Sequence, residues 1–252
     1  MEKILIVPDV HGRTFWKKAI ELVEIVDKVI FLGDYLDPYP HEGISKDEAI
    51  TNFREILKFK HDNFNKVTLL IGNHDLHYWP EFKRYWGCRR DDTNFDEISE
   101  LFINNLDYFQ VSFIRGKYLF THAGVVPGWL DIINDKRAIG GMVYSEINEC
   151  EPLNIDLDSL DTLLNNKIGR ETLYMVSRER GGDWQYGSCL WADLHEHMLA
   201  KTIEGYYQIF AHTMPYPTVF KPFIGEEYAM LDSQHCYTLD VETGNFVEEE
   251  NA

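Results

Sequence analysis

One pattern constrains this chain more than any other: five short apolar runs each lead directly into a cluster of aspartate, asparagine or histidine. The runs are rich in branched side chains, which is typical of strands buried on both faces. In chain order, the runs and the clusters that follow them are 4–7 with 8–12, 28–32 with 33–37, 67–71 with 72–75, 118–120 with 121–124, and 207–210 with 211–213. We therefore expect five strands that each deliver polar side chains at the carboxyl end.

Helical segments separate the first three of these strands. Apolar residues recur at helical spacing over 15–26, and Ser45 with Glu48 forms a capping box before a second amphipathic segment over 50–57. The N-terminal half thus alternates β-α-β-α-β, which predicts parallel strands joined by right-handed crossovers. Ligands of such sheets bind outside the carboxyl ends of the strands, which is where the polar clusters lie.

The remainder of the chain has a different character. Short strands are predicted over 217–224, 227–232 and 236–241, and helices over 127–134 and 158–166. We expect the short strands to form an antiparallel sheet beside the first sheet. The predicted fold class is therefore α/β, a two-sheet β-sandwich flanked by helices.

No internal repeat or flexible linker divides the sequence, which predicts a single domain over residues 1–252. The stretch 135–185 has no clean period, and we expect it to form the rim of the pocket and to set specificity.

No apolar run reaches the ~20 residues that a membrane span needs, and the first residues lead directly into a strand. We expect a soluble, cytoplasmic protein.

The charge balance limits the partners. With 42 Asp and Glu against 24 Lys and Arg, the formal net charge is −18. Such a chain repels nucleic acids and membrane surfaces, so neither a long nucleic acid nor a membrane is expected as a partner. Bound divalent cations would reverse this field locally and allow the protein to handle phosphate. The composition does not fix the oligomeric state.

The four cysteines are far apart in the sequence and form no C-x-x-C pair, which argues against a disulfide framework and a cysteine-based zinc site. They are Cys88, Cys150, Cys189 and Cys236. We expect reduced residues of the core.

Six residues at the strand ends are candidate metal ligands. They share oxygen or imidazole donors and include no thiolate: Asp9, His11, Asp34, Asn73, His122 and His212. This donor set suits Mn, Fe or Zn, and its size suggests two adjacent ions, since it exceeds what one catalytic metal takes. Asp34 is the best candidate for a bridging ligand, because it follows a strand directly and Gly33 allows close approach of the backbone.

Each motif alone is weak, because aspartate, histidine and Gly-Asn are common in turns. The conjunction of five motifs in the order D-x-H-G, G-D-x-x-D, G-N-H-D, T-H-A-G and A-H-T is specific. Over about residues 4–240, it resembles the calcineurin-like metallophosphoesterases and, within them, the phosphoprotein-phosphatase branch. The stretch 190–193, Leu-Trp-Ala-Asp, is similar to the Leu-Trp-Ser-Asp of that branch. Met214 stands where other branches place a second histidine after His212.

The resemblance implies roles for individual residues. Asp9 and His11 would hold the first metal, with Asp34 bridging. Asn73, His122 and His212 would hold the second.

The resemblance also implies that His74 is the general acid toward the leaving oxygen, oriented and kept protonated by Asp37. A neighbouring carboxylate raises the pKa of a histidine, so this assignment is chemically reasonable. A hydroxide bound to the two metals would be the nucleophile, and no covalent phosphoenzyme would form.

The chain departs from that branch at two positions. Pro38 and Ile71 replace arginines that commonly hold the substrate phosphate, and arginine is well suited to bidentate phosphate binding. Arg13, beside the first metal motif, is the leading replacement. Arg178 and Arg180, in a Gly-flanked loop, come next, although any of the three could instead be a surface arginine paired with an acid.

Other conspicuous residues have plainer interpretations. His195 and His197 would point to opposite sides of a helix, which argues against a separate metal site. The aromatic residues of 78–79 and 85–86 favour core packing over stacking on a nucleobase. The basic residues of 83–84 and 89–90 precede Asp91 and Asp92, so a salt-bridged surface segment is favoured.

The sequence therefore predicts a two-metal phosphoesterase that hydrolyses a phosphomonoester and most resembles a serine/threonine protein phosphatase. Its substrate would be a phosphoprotein or a small phosphoester, and its cofactors two divalent ions, Mn or Fe/Zn. The alternative within the same fold is a hydrolase of dinucleoside polyphosphates or nucleotides. A catalytically silent metal-binding scaffold is less favoured, because all six ligands and the His74–Asp37 pair are present.

Overall fold

The computed structural model describes residues 1–79, 89–135, 153–165, 167–200 and 203–250. The chain divides into two compact units, and each unit contains residues that are distant in the sequence. The first comprises Met1–Gln110, Met214–Phe223 and Met230–Ala252, and the second comprises Val111–Thr213 and Ile224–Ala229. The single domain over 1–252 stays a prediction.

The first unit contains a mixed six-stranded sheet. Its strands are β1 (Lys3–Val7), β2 (Lys28–Phe31), β3 (Val67–Leu70), β4 (Phe109–Gln110), β10 (Tyr237–Asp240) and β11 (Phe246–Glu248). The spatial order is β11-β10-β1-β2-β3-β4. Strands β1 to β4 are parallel, which confirms the β-α-β-α-β prediction, whereas β10 runs antiparallel to β1 and β11 antiparallel to β10.

The second sheet has five strands in the order β5-β6-β7-β9-β8. Their bounds are β5 (Ser112–Arg115), β6 (Tyr118–Thr121), β7 (Tyr207–Phe210), β8 (Phe223–Ile224) and β9 (Tyr228–Met230). β5 pairs antiparallel with β6, but β6 pairs parallel with β7, so this sheet is also mixed. The α/β class with two sheets flanked by helices is confirmed. The expectation that all the C-terminal strands share one antiparallel sheet is wrong, because β10 pairs with β1.

The α-helix predicted over 127–134 is confirmed at Pro127–Ile133, whereas the segment predicted over 15–26 contains an α-helix of only five residues, Lys18–Leu22. The described residues contain seven α-helices. They are α1 (Lys18–Leu22), α2 (Lys46–Asp62), α3 (Asn73–Leu76), α4 (Phe95–Ile103), α5 (Pro127–Ile133), α6 (Lys167–Leu173) and α7 (Leu194–Leu199). The longest, α2, starts with the predicted capping box: Ser45 Oγ accepts from the Glu48 amide at 3.2 Å, and Glu48 Oε2 accepts from the Ser45 amide at 2.8 Å. Residues of the helix predicted over 158–166 form a 3₁₀ helix, Leu157–Asn165. None of the described helices combines the length and apolar character that crossing a membrane requires.

Apolar packing in the first unit fixes the loop after β1 against α2. The side chains of β1 from Ile4 to Val7 are fully buried. Trp16, also buried, donates from Nε1 to Asn52 Oδ1 at 2.8 Å, and Asn52 Nδ2 donates to the carbonyl of Arg13 at 3.0 Å. Burial of such side chains contributes about 1.5–3 kcal/mol each. This packing therefore holds the segment that carries Asp9 and His11.

Candidate metal centre

The first sheet brings five of the predicted site residues to one edge. β1, β2 and β3 are parallel neighbours, so their carboxyl ends meet there. The residues that follow these strands at that edge are Asp9, His11, Asp34, Asp37 and Asn73. All five side chains are buried, which is unusual for carboxylates unless they are paired, hydrogen-bonded or bound to a cation.

The loop after β1 is hydrogen-bonded to the loop after β2. The carbonyl oxygen of Asp34 accepts from the amides of Val10 and His11 at 3.1 and 2.7 Å, and the carbonyl of Tyr35 accepts from Gly12 at 2.9 Å. These bonds hold His11 and Asp34 in a fixed relation before any ligand binds.

Asp75, the last residue of the G-N-H-D motif, joins the loop after β2 to the loop after β3. Its carboxylate accepts three backbone N–H bonds, from Asp34 and Gly72 at 2.8 Å and from Tyr35 at 2.9 Å. Burial and the neighbouring Asp34 carboxylate raise its pKa, while the three N–H donors act to lower it. No role for Asp75 was predicted from the sequence, although its place in the G-N-H-D motif was a usable signal.

His11 and Asp34 face each other in a manner that fits a shared cation. His11 Nδ1 donates to the Leu36 carbonyl at 2.8 Å, which fixes the tautomer and leaves Nε2 with its lone pair. That Nε2 lies 3.5 Å from Asp34 Oδ2. Burial, the largest influence, lowers the pKa of His11 to about 3, so the ring is neutral at pH 7, as a metal ligand must be. Ligand atoms ~2.0–2.2 Å from one ion are separated by about this distance.

His74 lies beside this pair. Its Nδ1 donates to Asp37 Oδ2 at 2.8 Å, and its backbone amide donates to Asp34 Oδ1 at 2.9 Å. The ligand atoms of His11, Asp34 and His74 lie within 4.8 Å of one another. Burial acts to lower the pKa of His74, but the charge of Asp34 and the hydrogen bond with Asp37 outweigh it, so the pKa is raised. The second oxygen of Asp37 accepts from the hydroxyl of Tyr78.

Several of these residues have strained backbones. Among the described residues other than glycine, seven have a positive φ angle, and four of these are predicted site residues: His11 (45°), Asp34 (54°), Asp37 (59°) and His212 (62°). The left-handed region costs an ordinary residue about 1–2 kcal/mol. Such strain persists where the surroundings over-determine it and is concentrated at functional sites.

Two glycines allow the loops after β2 and β3 to approach closely. A Cβ on Gly33 would lie 2.5 Å from the amide nitrogen of Gly72, and a Cβ on Gly72 would lie 2.2 Å from Asp34 Oδ1. Any side chain at Gly72 would therefore displace the Asp34 carboxylate.

We expect Gly72→Ala to lower the free energy of unfolding by about 1–3 kcal/mol and to abolish metal-induced stabilisation, because the new methyl group overlaps Asp34. Thermal unfolding with and without Mn²⁺ measures both effects. Gly116→Ala is the control, since Gly116 has a positive φ of 57° but open space around its Cβ position. It should cost about 1 kcal/mol and leave the response to Mn²⁺ intact. An unchanged Mn²⁺ response in Gly72→Ala would contradict the prediction.

The second unit brings together the two remaining predicted ligands. His122 follows β6 and His212 follows β7, and these strands are parallel neighbours. The carbonyl of His122 accepts from the Ala211 amide at 2.8 Å. His122 Nε2 lies 3.1 Å from His212 Nδ1, a separation that suits either a hydrogen bond or two ligands of one ion. Trp191, of the Leu-Trp-Ala-Asp stretch, packs its ring edge-on to His212 at 6.0 Å between centroids.

The three arginines predicted as phosphate ligands have different surroundings. Arg13 is buried, donating from Nε to Glu42 Oε1 at 2.7 Å and from Nη1 to the Asp9 carbonyl at 3.2 Å. Arg180 pairs with Asp193 at 2.8 Å and also donates to the hydroxyl of Thr213. Arg178 is exposed.

Arg89 was predicted from the sequence to lie in a salt-bridged surface segment. In the structure it lies close to the candidate metal ligands of the first unit. Its Cζ lies 3.7 Å from the ring centroid of Tyr39, and the Tyr39 ring is edge-on to His11 at 5.1 Å. No sequence signal distinguished Arg89 from its basic neighbours.

The plainer interpretations fit the structure where it describes the residues. His195 is exposed and His197 buried on α7, as predicted for positions two apart. Tyr78 and Trp79 are buried and contact Phe102 at 6.2 and 5.3 Å between ring centroids, so they belong to the core. Cys189 and Cys236 are free and buried. Predictions for Lys83, Arg84, Tyr85, Trp86, Cys88 and Cys150 lie outside the described residues.

Comparison with known protein families gives a match over most of the chain. The family model of calcineurin-like phosphoesterases matches residues 2–216. No curated protein matches the sequence significantly. Similar solved structures include a protein serine/threonine phosphatase from Saccharomyces cerevisiae with similarity to human phosphatase PP5, at 15% identity and TM-score 0.47, covering 98% of this chain and 79% of that one. A metallophosphoesterase from Sphaerobacter thermophilus is 17% identical with TM-score 0.32, covering 49% and 47%.

Proposed function

Because the chain belongs to the calcineurin-like phosphoesterases, a family of metal-dependent hydrolases, we propose that it hydrolyses phosphomonoesters and acts on phosphoserine or phosphothreonine in proteins. The observation that carries the proposal is the double attachment of His74. Its side chain is held by Asp37 at 2.8 Å and its backbone by the candidate ligand Asp34 at 2.9 Å. A proton donor is thereby fixed beside the predicted metal ligands.

The donor chemistry of the chain fits divalent cations. In the first unit, a neutral imidazole nitrogen and a buried carboxylate oxygen face each other at 3.5 Å, and in the second, two imidazole nitrogens lie 3.1 Å apart. By the resemblance noted in the sequence, Asp9 and His11 would hold one ion, Asn73, His122 and His212 would hold another, and Asp34 would be shared. When bound, such ions supply Lewis acidity toward the phosphoryl oxygens and lower the pKa of water. Manganese is the metal we would test first.

The reaction needs a proton for the leaving oxygen. Water supplies the oxygen that forms the new bond to phosphorus and releases one proton to the solvent, from which His74 is reprotonated, and the bond from phosphorus to the ester oxygen breaks. That oxygen would take a proton from Nε2 of His74, since Nδ1 is engaged by Asp37. The raised pKa of His74 favours the protonated ring that this step requires.

A phosphoprotein substrate is supported by the Leu-Trp-Ala-Asp stretch, which is similar to the Leu-Trp-Ser-Asp of the phosphoprotein-phosphatase branch, and by Met214, which stands where other branches place a second histidine. The alternative, a nucleotide or dinucleoside polyphosphate hydrolase, would gain from an exposed aromatic surface beside the ligands. Tyr78 and Trp79 do not provide one, because both are buried. A cytoplasmic location stays a prediction.

The test is turnover of p-nitrophenyl phosphate, phosphoserine and phosphothreonine peptides, diadenosine polyphosphates and nucleotides by purified protein with Mn²⁺. We expect the phosphopeptides to have the highest kcat/KM. Preferential cleavage of the diadenosine polyphosphates would favour the alternative. No turnover of any phosphoester, with Mn²⁺ binding retained, would indicate a metal-binding scaffold.

A further inference from the structure

We propose that the guanidinium of Arg89 binds the phosphate group of the substrate, which rests on the proposed phosphomonoester hydrolysis. Pro38 and Ile71 occupy the positions from which related phosphatases are expected to supply arginines. A phosphate dianion in so acidic a chain needs a cationic partner besides the metals. Arg89 comes from a different segment of the sequence.

The position of Arg89 places its charge beside the candidate metal ligands of the first unit. Its Nε and Nη2 donate to the carbonyl of Asp37 at 3.3 and 3.2 Å, and the carboxylate of that same residue holds His74. The guanidinium also lies over the ring of Tyr39, which contacts His11 edge-on. Its charge acts on both His11 and His74.

The orientation of the guanidinium leaves a fork for an anion. Stacking on Tyr39 fixes the plane, and the Asp37 carbonyl occupies the edge formed by Nε and one hydrogen of Nη2. The edge formed by Nη1 and the outer hydrogen of Nη2 then presents two parallel N–H donors, the geometry that binds phosphate bidentately. Arg89 and Asp37 both line a cavity of about 180 Å³.

The charge of Arg89 is also less compensated than that of Arg13 or Arg180. Within the part of the chain that the structure describes, no carboxylate forms an ion pair with it. Arg13, by contrast, is paired with Glu42 at 2.7 Å and Arg180 with Asp193 at 2.8 Å. Each of these two arginines already has a carboxylate partner, which offsets the positive charge that a phosphate would meet.

The test compares wild type, Arg89→Ala and Arg89→Lys, each loaded with Mn²⁺. We expect Arg89→Ala to raise KM for p-nitrophenyl phosphate and the inhibition constant of inorganic phosphate by about tenfold to a hundredfold, the effect of losing charged hydrogen bonds. Arg89→Lys should lie between the two, because it keeps the charge but loses the fork and the stacking. Calorimetric titration with inorganic phosphate should give the same ranking without turnover.

Arg90→Ala is the matched control, because Arg90 is the adjacent arginine but pairs with Asp92 at 2.8 Å and lies over the ring of Phe95. Its phosphate affinity should stay within about twofold of wild type. Unchanged phosphate affinity in Arg89→Ala would overturn the proposal, and if that variant unfolds, unchanged affinity in Arg89→Lys would do so. A wild type that neither hydrolyses phosphomonoesters nor binds phosphate would instead overturn the proposed function.

Discussion

Replacing Asp34 with asparagine is expected to lower the Mn²⁺-dependent turnover of p-nitrophenyl phosphate by about a thousandfold or more, since the loss of the proposed shared metal ligand would remove several kcal/mol of charge stabilisation. The substitution keeps the shape of the side chain. Its Oδ1 still accepts from the His74 amide, a bond of 2.9 Å in the wild type. The new amide group faces Nε2 of His11, which is 3.5 Å from Oδ2 and carries the lone pair. A hydrogen bond would therefore occupy the position that suits the cation.

The same substitution should have the opposite effect on the metal-free protein. It removes a buried negative charge beside the Asp75 carboxylate and gives His11 a donor, so the unfolding temperature without metal should equal or exceed that of wild type. The increase in unfolding temperature that Mn²⁺ produces in wild type should be lost. Asp107→Asn, at an exposed position of the same unit, should change neither quantity. Undiminished turnover in Asp34→Asn would rule out the two-metal proposal.

Much of the site could be predicted because its information is local in sequence. Each ligand follows a buried strand by a few residues, and parallel neighbours bring their carboxyl ends together. The capping box of Ser45 and Glu48 likewise depends on four consecutive residues. Short-range patterns of this kind are readable from one chain.

The pairing of the C-terminal strands could not be predicted from local sequence patterns. β10 pairs with β1 across more than two hundred positions, with Lys3 opposite Asp240 and Ile6 opposite Tyr237. A short strand of four residues carries a β pattern but no signal for its partner. This distant segment pairs with the edge of β1 that β2 leaves open, so β1 is a central strand, and its fully buried side chains are apolar without alternation.

The contacts of individual arginine and aspartate side chains could not be predicted from the sequence either. Arg89 and Arg90 are adjacent and chemically identical, yet one stacks on Tyr39 and the other pairs with Asp92. Asp75 accepts from three backbone amides that come from two separate loops. Such contacts depend on tertiary packing, so composition and spacing do not reveal them.

Replacing His74 with asparagine should reduce kcat, and the reduction should be larger for substrates whose leaving group has a higher pKa and therefore needs protonation. For phenyl phosphate or phosphoserine peptides the expected loss is about a hundredfold to ten-thousandfold, the usual contribution of a general acid. For p-nitrophenyl phosphate the loss should be far smaller, because nitrophenolate leaves without protonation. The measurement is log kcat as a function of leaving-group pKa, and the dependence should be steeper in His74→Asn than in wild type. His61→Asn, at an exposed histidine bonded to Tyr108, should leave the dependence unchanged.

The pH profile of Asp37→Asn tests the role of His74 as the acid by changing its hydrogen-bond partner. The pKa of His74 is raised by the charges and hydrogen bonds of Asp34 and Asp37, which outweigh burial, so the proton is held to higher pH than in a free histidine. If catalysis needs this proton, kcat is maximal below the raised pKa of His74 and falls as pH rises through that pKa. Without the Asp37 charge the pKa falls, and the alkaline loss of kcat for phenyl phosphate should move to lower pH. The profile for p-nitrophenyl phosphate should move little. Equal shifts for both substrates would mean that the titrating group acts on something other than the leaving oxygen.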